Sequence, residues 1–296
     1  MLCEHDIRDL ISRFENDGKY RVLRKLEVKD GRTGILYHGG ETKIAIVTDV
    51  ETTGLDFTRD VIVELAVRRF RYDRCGRILK IDHGKTWFED PKRPLEPEIM
   101  RITGLTDAGL AGQNIDEIEA TRLFRTAHLV IAHNASFDRK FVERRLPSMK
   151  GMPWACSMSE VDWKAAGFEG RSLGWLGAQA GWFHCAHRAS GDVDAVIGLL
   201  SHVGADGKSV LRELIEKSAA PTIKVEAFGA SFAVKDELRD RGYRWNSDAK
   251  VWWREISESD LTEEEAWLGH HVYSAFDHAR ALGPRLTKVT ARERYA

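Results

Sequence analysis

The run IAIVTDV, residues 44–50, constrains this chain more than any other segment. It is short, apolar and rich in β-branched residues, the pattern of a strand buried on both faces. It leads into Asp49-Val50-Glu51, followed by Thr-Thr-Gly. Alternate residues of a strand share a face, so Asp49 and Glu51 project together from the end of a buried strand. Two carboxylates that close repel each other unless a cation lies between them. Taken alone, Asp-x-Glu also describes a solvated strand edge.

The neighbouring segments build a layered α/β domain around this strand. VIVELAVRRF (61–70) and ILKIDHGKTWF (78–88) alternate and complete a three-stranded meander. PKRPLEP (91–97) is a loop. IDEIEATRLFRTA (115–127) and FDRKFVERRL (137–146) have helical spacing, and LVIAHN (129–134) between them is a second buried strand. SLGWLGAQAG (172–181) is a helix ended by Gly181, and GDVDAVIGLLSHV (191–203) is a final apolar helix. This main domain spans 41–205. Residues 1–40 form a small appendage packed on it, opened by a helix with Ile7, Leu10, Ile11 and Phe14 on one side. A boundary at 206–220 precedes a β-α-β module at 221–258. Residues 259–296 make a helical and basic tail. Thr262 and Glu265 fit a capping box there, and the end from Gly283 reads as disordered.

Composition narrows the class. With 43% hydrophobic residues the chain buries a sizeable core, and a formal net charge of −1 gives no bulk field for an acidic partner. Cys3, Cys75, Cys156 and Cys185 are scattered, which fits reduced thiols rather than a disulfide framework or a zinc ribbon. Cys185 is expected in the core. The start, MLCEHDIRDL, has no apolar core of a signal peptide, and no run is long enough to span a membrane. The expected location is the cytoplasm.

Two further motifs carry carboxylates beside apolar runs. In His133-Asn134-Ala135-Ser136-Phe137-Asp138, the aspartate sits near a helix N-terminus, where the dipole alone would favour it. In His187-Arg188-Ala189-Ser190-Gly191-Asp192, the aspartate opens the apolar helix, and Asp194 follows. Asp192 could be a cap, and a lone histidine is more often structural than catalytic. Together the motifs weigh more. Four carboxylates on hard oxygen suit Mg²⁺ or Mn²⁺ rather than zinc. Two such ions about 4 Å apart are the recurring device for phosphodiester cleavage.

These motifs resemble those of the DEDDh exonucleases, which share the ribonuclease H-like fold and include the epsilon proofreading subunit of bacterial replicative polymerase, oligoribonuclease and ribonuclease T. The resemblance covers roughly residues 44–203 and rests on TDVETTGLD, HNASFD and HRASGD, with ITGLT (102–106) and PWACS (153–157) as lesser matches. It implies a mixed sheet flanked by helices. It implies two Mg²⁺ or Mn²⁺ ions held by Asp49, Glu51, Asp138 and Asp192, with His187 as general base and Glu51 in the catalytic set. It implies 3′→5′ removal of nucleoside 5′-monophosphates. Thr52, Gly54 and Leu55 would meet the terminal nucleotide, with His133, Asn134 and Phe137 also lining the substrate. The sequence departs from the family at Ser157, where many relatives have Thr, and at Ser190-Gly191, where relatives often have Leu and an acidic or small residue. The second change bears on how the helix begins rather than on metal binding.

Other basic and aromatic residues suggest contacts to the strand. Arg139, Lys140, Arg144, Arg145 and Lys150 follow Asp138, and Arg68, Arg69, Arg71, Arg74 and Arg77 form a second group; each is either a solvated face or a phosphate contact. In the C-terminal module, Tyr243, Trp245, Trp252 and Trp253 lie among Lys235, Arg241, Arg244, Lys250 and Arg254, either as the core of a small unit or as a stacking surface for bases. That stretch resembles a small module with a KD…GxRW…KxWW pattern attached to DNA-processing proteins. The expected substrate is the 3′ end of single-stranded DNA. RNA stays open, because these motifs do not read the sugar. A polymerase-associated accessory subunit and a non-catalytic nucleic-acid-binding protein are the readings from other classes; the complete catalytic set disfavours the second.

Overall fold

The computed structural model describes residues 4–37, 39–274 and 283–296. Cys3, His38, and Ala275 and Phe276 of the helical tail lie outside the described residues. Packing divides the chain into two units, residues 1–217 with 295–296, and residues 218–294. No helix among the described residues is long and apolar enough to cross a membrane.

The first unit is built on a seven-stranded mixed sheet. Its centre is β3 (Thr42–Thr52), which pairs antiparallel with β4 (Ile62–Asp73) along nearly its whole length. On the other edge β3 pairs parallel with β7 (Leu129–Ala132), which pairs parallel with β8 (Trp154–Cys156). The third strand of the expected meander is two strands, β5 (Ile78–Ile81) and β6 (Lys85–Phe88), both against β4.

Strand alternation sends β3 side chains to two cores. Ala45 and Val47 face one containing Val193, Val196 and Ile197 of α8 (Ala189–Leu200) and Leu211 and Leu214 of α9 (Val210–Ala219). Ile46 and Val50 face the other, with Phe124 of α4 (Glu117–Phe124) and Phe141 and Val142 of α5 (Ala135–Arg145). Short helices α2 (Pro97–Thr103) and α3 (Asp107–Leu110) follow the proline-rich loop, α6 (Ser157–Glu160) follows β8, and α7 (Leu173–Gln179) ends before Gly181, whose φ of 89° suits glycine. The expected mixed sheet flanked by helices is therefore present.

The first forty residues divide. Helix α1 (Glu4–Asn16) forms, but Ile7, Leu10 and Phe14 stay exposed rather than packed. The following segment is stitched in: β1 (Arg24–Lys25) pairs with β9 (Trp182–Phe183), and β2 (Gly31–Arg32) with β5.

The second unit contains the expected β-α-β path, β10 (Thr222–Glu226), α10 (Lys235–Asp240) and β12 (Val251–Ser257), and adds two strands to it. A short β11 (Arg244–Asn246) makes a hairpin with β12, giving the order β11-β12-β10-β13. The tail expected to be disordered supplies β13 (Arg285–Val289), antiparallel to β10. Sequence pattern misses it because its stability comes from a distant partner strand. Helix α11 (Leu261–His271) covers the sheet. Its N-cap is Asp260 without a side-chain bond, and Thr262 lies inside the helix, so the capping box does not form.

Candidate active site

The three motifs meet at one end of the central strand. Asp49 and Glu51 project from β3 toward α8, whose first turn carries Asp192. Ligand oxygens of Asp49, Glu51 and Asp192 all lie within 4.8 Å of one another. Asp138, in the first turn of α5, is only 2% exposed, and its Oδ1 accepts a bond from the Val50 amide at 3.2 Å. A fifth carboxylate joins them. Glu64 of β4 stands directly opposite Glu51 in the antiparallel register, so it shares the α8 face. Its Oε2 takes a 3.3 Å bond from Arg188, and its buried Oε1 has no partner. The signal for Glu64 was one charged residue inside the apolar run VIVELAV.

The electrostatics follow from this crowding. Burial, then the charges of Asp138, Asp192, Glu51 and Glu64, holds the Asp49 carboxyl well above the usual carboxylate range. Burial, then Asp192 and Glu64, pushes Glu51 up to about 7. Asp138 is raised by burial, although two backbone amides partly offset it. Glu64 is raised by burial against the opposing pull of Arg188. Without a counter-cation this cluster favours protons.

The loop before α8 carries two histidines with different roles. His184 Nε2 lies 2.9 Å from Asp192 Oδ1 and its side chain is buried. The His187 amide donates to Asp192 Oδ2 at 3.0 Å, while its imidazole is exposed and makes no hydrogen bond to the carboxylates. His187 has φ of 60°, a left-handed conformation uncommon for a residue with a Cβ. A Cβ on Gly191 would lie 2.5 Å from the Cys185 carbonyl, so the departure from the family at this position is what lets the loop fold over the start of α8. Sequence reasoning missed His184 because its partner is set by this turn. Cys185, expected in the core, is exposed on the same loop.

The expected substrate residues surround the cluster unevenly. Thr52 is buried and its hydroxyl donates to the Gly54 carbonyl at 2.5 Å, fixing the turn after β3. Leu55 is 86% exposed, and Lys140 Nζ lies 5.2 Å from the exposed Phe57 ring. Asn134 is exposed at the start of α5, and Phe137 packs half-buried on Phe141. His133 is tied at both nitrogens, to Ser157 Oγ at 2.9 Å and the Arg171 carbonyl at 2.8 Å. Burial pushes its pKa down, so it stays neutral. Ser157, the other departure, thus anchors the second motif.

Arg139 is corrected. It is 1% exposed and bonded to Glu143 one helical turn on, so it is a packing residue and not a nucleic-acid contact. Of the second arginine group, Arg68 is buried against Asp30, Asp194 and the Val28 carbonyl, Arg69 pairs with Asp82, and Arg77 with Asp73. Trp245, Trp252 and Trp253 belong to the second unit.

Known proteins give the family of the span that carries the three motifs. Over 104 residues the chain is 39% identical to the PolC-type DNA polymerase III of Bacillus subtilis (strain 168), an alignment covering 34% of this chain. The match spans only 7% of the length of that polymerase. Over 185 residues it is 27% identical to the epsilon subunit of DNA polymerase III from Treponema pallidum (strain Nichols), covering 60% of this chain and 83% of the subunit. Among solved structures, exonuclease X in complex with 5′ overhanging duplex DNA aligns with a TM-score of 0.40 and 25% identity, over 57% of this chain and 99% of that one. The family model RNase_T, described as Exonuclease, matches residues 46–200, more than half of the 296 residues and the span that carries all three motifs, and the chain belongs to that exonuclease family.

Proposed function

We propose that this chain is a divalent-metal-dependent 3′→5′ exonuclease that releases nucleoside 5′-monophosphates from DNA, in repair or proofreading. One observation carries the reading: Asp49, Glu51 and Asp192 converge within 4.8 Å with Asp138 and Glu64 pressed on the same space. Such crowding destabilises a fold and persists where it serves function. The donors fit a divalent cation, because all are carboxylate oxygens and Glu64 keeps a buried oxygen without a partner.

Asp49, Glu51, Asp138 and Asp192 would hold two Mg²⁺ or Mn²⁺ ions. When bound, these supply charge neutralisation at the attacked phosphodiester and its entering and leaving oxygens. An imidazole nitrogen of His187 takes the proton of the attacking water. The left-handed His187 backbone is anchored through Asp192, and its ring is exposed to an arriving strand end. Thr52, Gly54 and Leu55 meet the terminal nucleotide, with the exposed Leu55 against its base. Asn134 and Phe137 flank it, positioned by the tethered His133. Lys140 faces the incoming phosphates. The free thiols of Cys75, Cys156 and Cys185 fit the reducing cytoplasm.

The likeness to the epsilon subunit of Treponema pallidum favours a second reading, in which the chain works beside a polymerase. Recovery of a polymerase with the tagged full chain would support it. The main proposal is tested on 5′-labelled single-stranded DNA and the matching RNA, with Mg²⁺, Mn²⁺ or EDTA. A metal-dependent ladder shortening from the 3′ end, faster on DNA and absent in Asp49→Asn, is expected. Faster loss of RNA would move the assignment to an exoribonuclease, and cleavage that survives EDTA would end it.

A further inference from the structure

The four-stranded sheet of the second unit packs one face on a core, and its other face carries charged residues around Trp253, with Arg244 and Arg285 exposed and Trp253 and Lys224 half-buried. Ile223, Val225 and Ile256 point into the core with Leu238 and Leu268. Residues paired in register share a face, and neighbours along a strand alternate. The alternate positions therefore line the other face. There the register places Arg244, Trp253, Glu226 and Arg285 in one row across β11, β12, β10 and β13. Three strand spacings separate its ends, roughly 14 Å.

The row combines rings with cations. Lys224 Nζ lies 5.6 Å from the centre of the Trp253 ring, and the Arg285 guanidinium 4.4 Å from that of Phe228. Glu226, the one acid in the row, is buried and offset by Lys224 at 2.7 Å and Arg285 at 3.7 Å. Arg244 is exposed and forms no ion pair among the described residues. Cation–ring pairs occur roughly once per 70–80 residues. Among the described residues between 224 and 285 there are four: Lys224–Trp253, Lys235–Phe232, Arg241–Trp267 and Arg285–Phe228. Core building accounts for Trp267 but not for Phe228, which remains 48% exposed.

We propose that this charged face is a platform for single-stranded nucleic acid, with bases stacking on Trp253 and Phe228 and phosphates meeting Arg244, Arg285 and Lys224. An acidic peptide would satisfy the cations and leave the rings unused; a nucleic-acid strand supplies π-faces and negative charge at alternating positions. The strand is the one the exonuclease domain shortens, and only that identity rests on the function proposed above. The face also decides between the tryptophans. Trp245 and Trp252 pair with each other on the opposite side, ring centres 5.6 Å apart, with Trp252 against the core. Trp253 is the residue in the platform.

The test is fluorescence anisotropy of a labelled oligothymidylate with the full chain, carrying Asp49→Asn so that no substrate is consumed. Trp253→Ala is expected to weaken binding at least about fivefold, and Trp253→Phe to restore most of it. Arg244→Ala and Arg285→Ala should each lower the slope of log Kd against log salt by roughly 0.7. Trp245→Ala should bind as the parent does. Affinity unchanged by Trp253→Ala, or lost equally in Trp245→Ala, would overturn the platform. So would polyglutamate displacing the oligonucleotide from the parent and Trp253→Ala alike. Turnover of a dinucleotide by the wild-type chain reports the exonuclease reading separately: its absence would sink that reading and leave the binding result standing.

Discussion

Strand β4 and helix α8 face each other twice, and the two meetings are opposites. At one, Glu64 of β4 and Asp192 of α8 join Asp49 and Glu51, and their charges accumulate with Arg188 as a half-exposed cation. At the other, four residues along β4, Arg68 reaches Asp194 of α8, Asp30 and the Val28 carbonyl, and its charge is met on every side. The same two elements thus hold an unbalanced cluster and a balanced one. Balanced charge fixes the segment 28–32 against the sheet. Unbalanced charge waits for a cation: Glu51 is pushed up to about 7, whereas at the balanced cluster hydrogen bonds from His83 and Arg68 draw Asp30 below the ordinary range and burial raises Asp194 against the pull of Arg68.

Removing charge should therefore act in opposite directions at the two places. The largest effect is expected for Asp49→Asn. Turnover should fall by about a thousandfold or more in steady-state assays with Mg²⁺. The same variant should melt a few degrees higher than wild type in EDTA, because like-charge repulsion is relieved. His187→Ala should lower turnover about 10²- to 10⁴-fold while leaving the melting shift produced by Mn²⁺ unchanged, which separates the base from the ligands. At the balanced cluster, Arg68→Met removes a buried cation from two partly exposed carboxylates, Asp30 and Asp194. It should lower stability in urea unfolding, chiefly through the lost tie to segment 28–32, and reduce activity only as far as folded protein is lost. A thousandfold loss of turnover at full stability in Arg68→Met would erase the distinction between the clusters.

The smallest effect is a pH dependence of stability in EDTA. Glu51 is raised to about 7 in the fold from its ordinary value of 4.5 in the unfolded chain. The unfolded chain releases its proton first, so this contribution is fully present below about 4.5 and is lost as pH rises through about 7. Urea unfolding should show stability declining by on the order of 1–2 kcal/mol across that window. Saturating Mg²⁺ should flatten or reverse the trend, since the ion takes the place of the protons. A rise in metal-free stability over the same window would contradict the raised pKa.

How far the sequence foretold all this depends on the range of the interaction. Asp49 and Glu51 were legible because period two along one strand sets their face, and α5 and α8 because their apolar residues recur at helical spacing. Glu64 was a lone acid in an apolar strand, and only the register against Glu51 gives it meaning. Arg139 and Glu143 were readable as a helical pair, but the burial of Arg139 comes from tertiary packing that no local pattern carries. His184 reaches Asp192 through a turn that needs Gly191, and β13 exists through pairing with β10 some sixty residues earlier.

The central claim is that the unbalanced cluster is a divalent-metal site, and calorimetric titration of the full chain with Mn²⁺ at pH 8 tests it most directly. The account predicts saturable binding of two ions per chain, lost or reduced to weak residual binding in Asp49→Asn and retained in Arg68→Met at temperatures where that variant is folded. No saturable binding by wild type, or the same binding in Asp49→Asn, would contradict it.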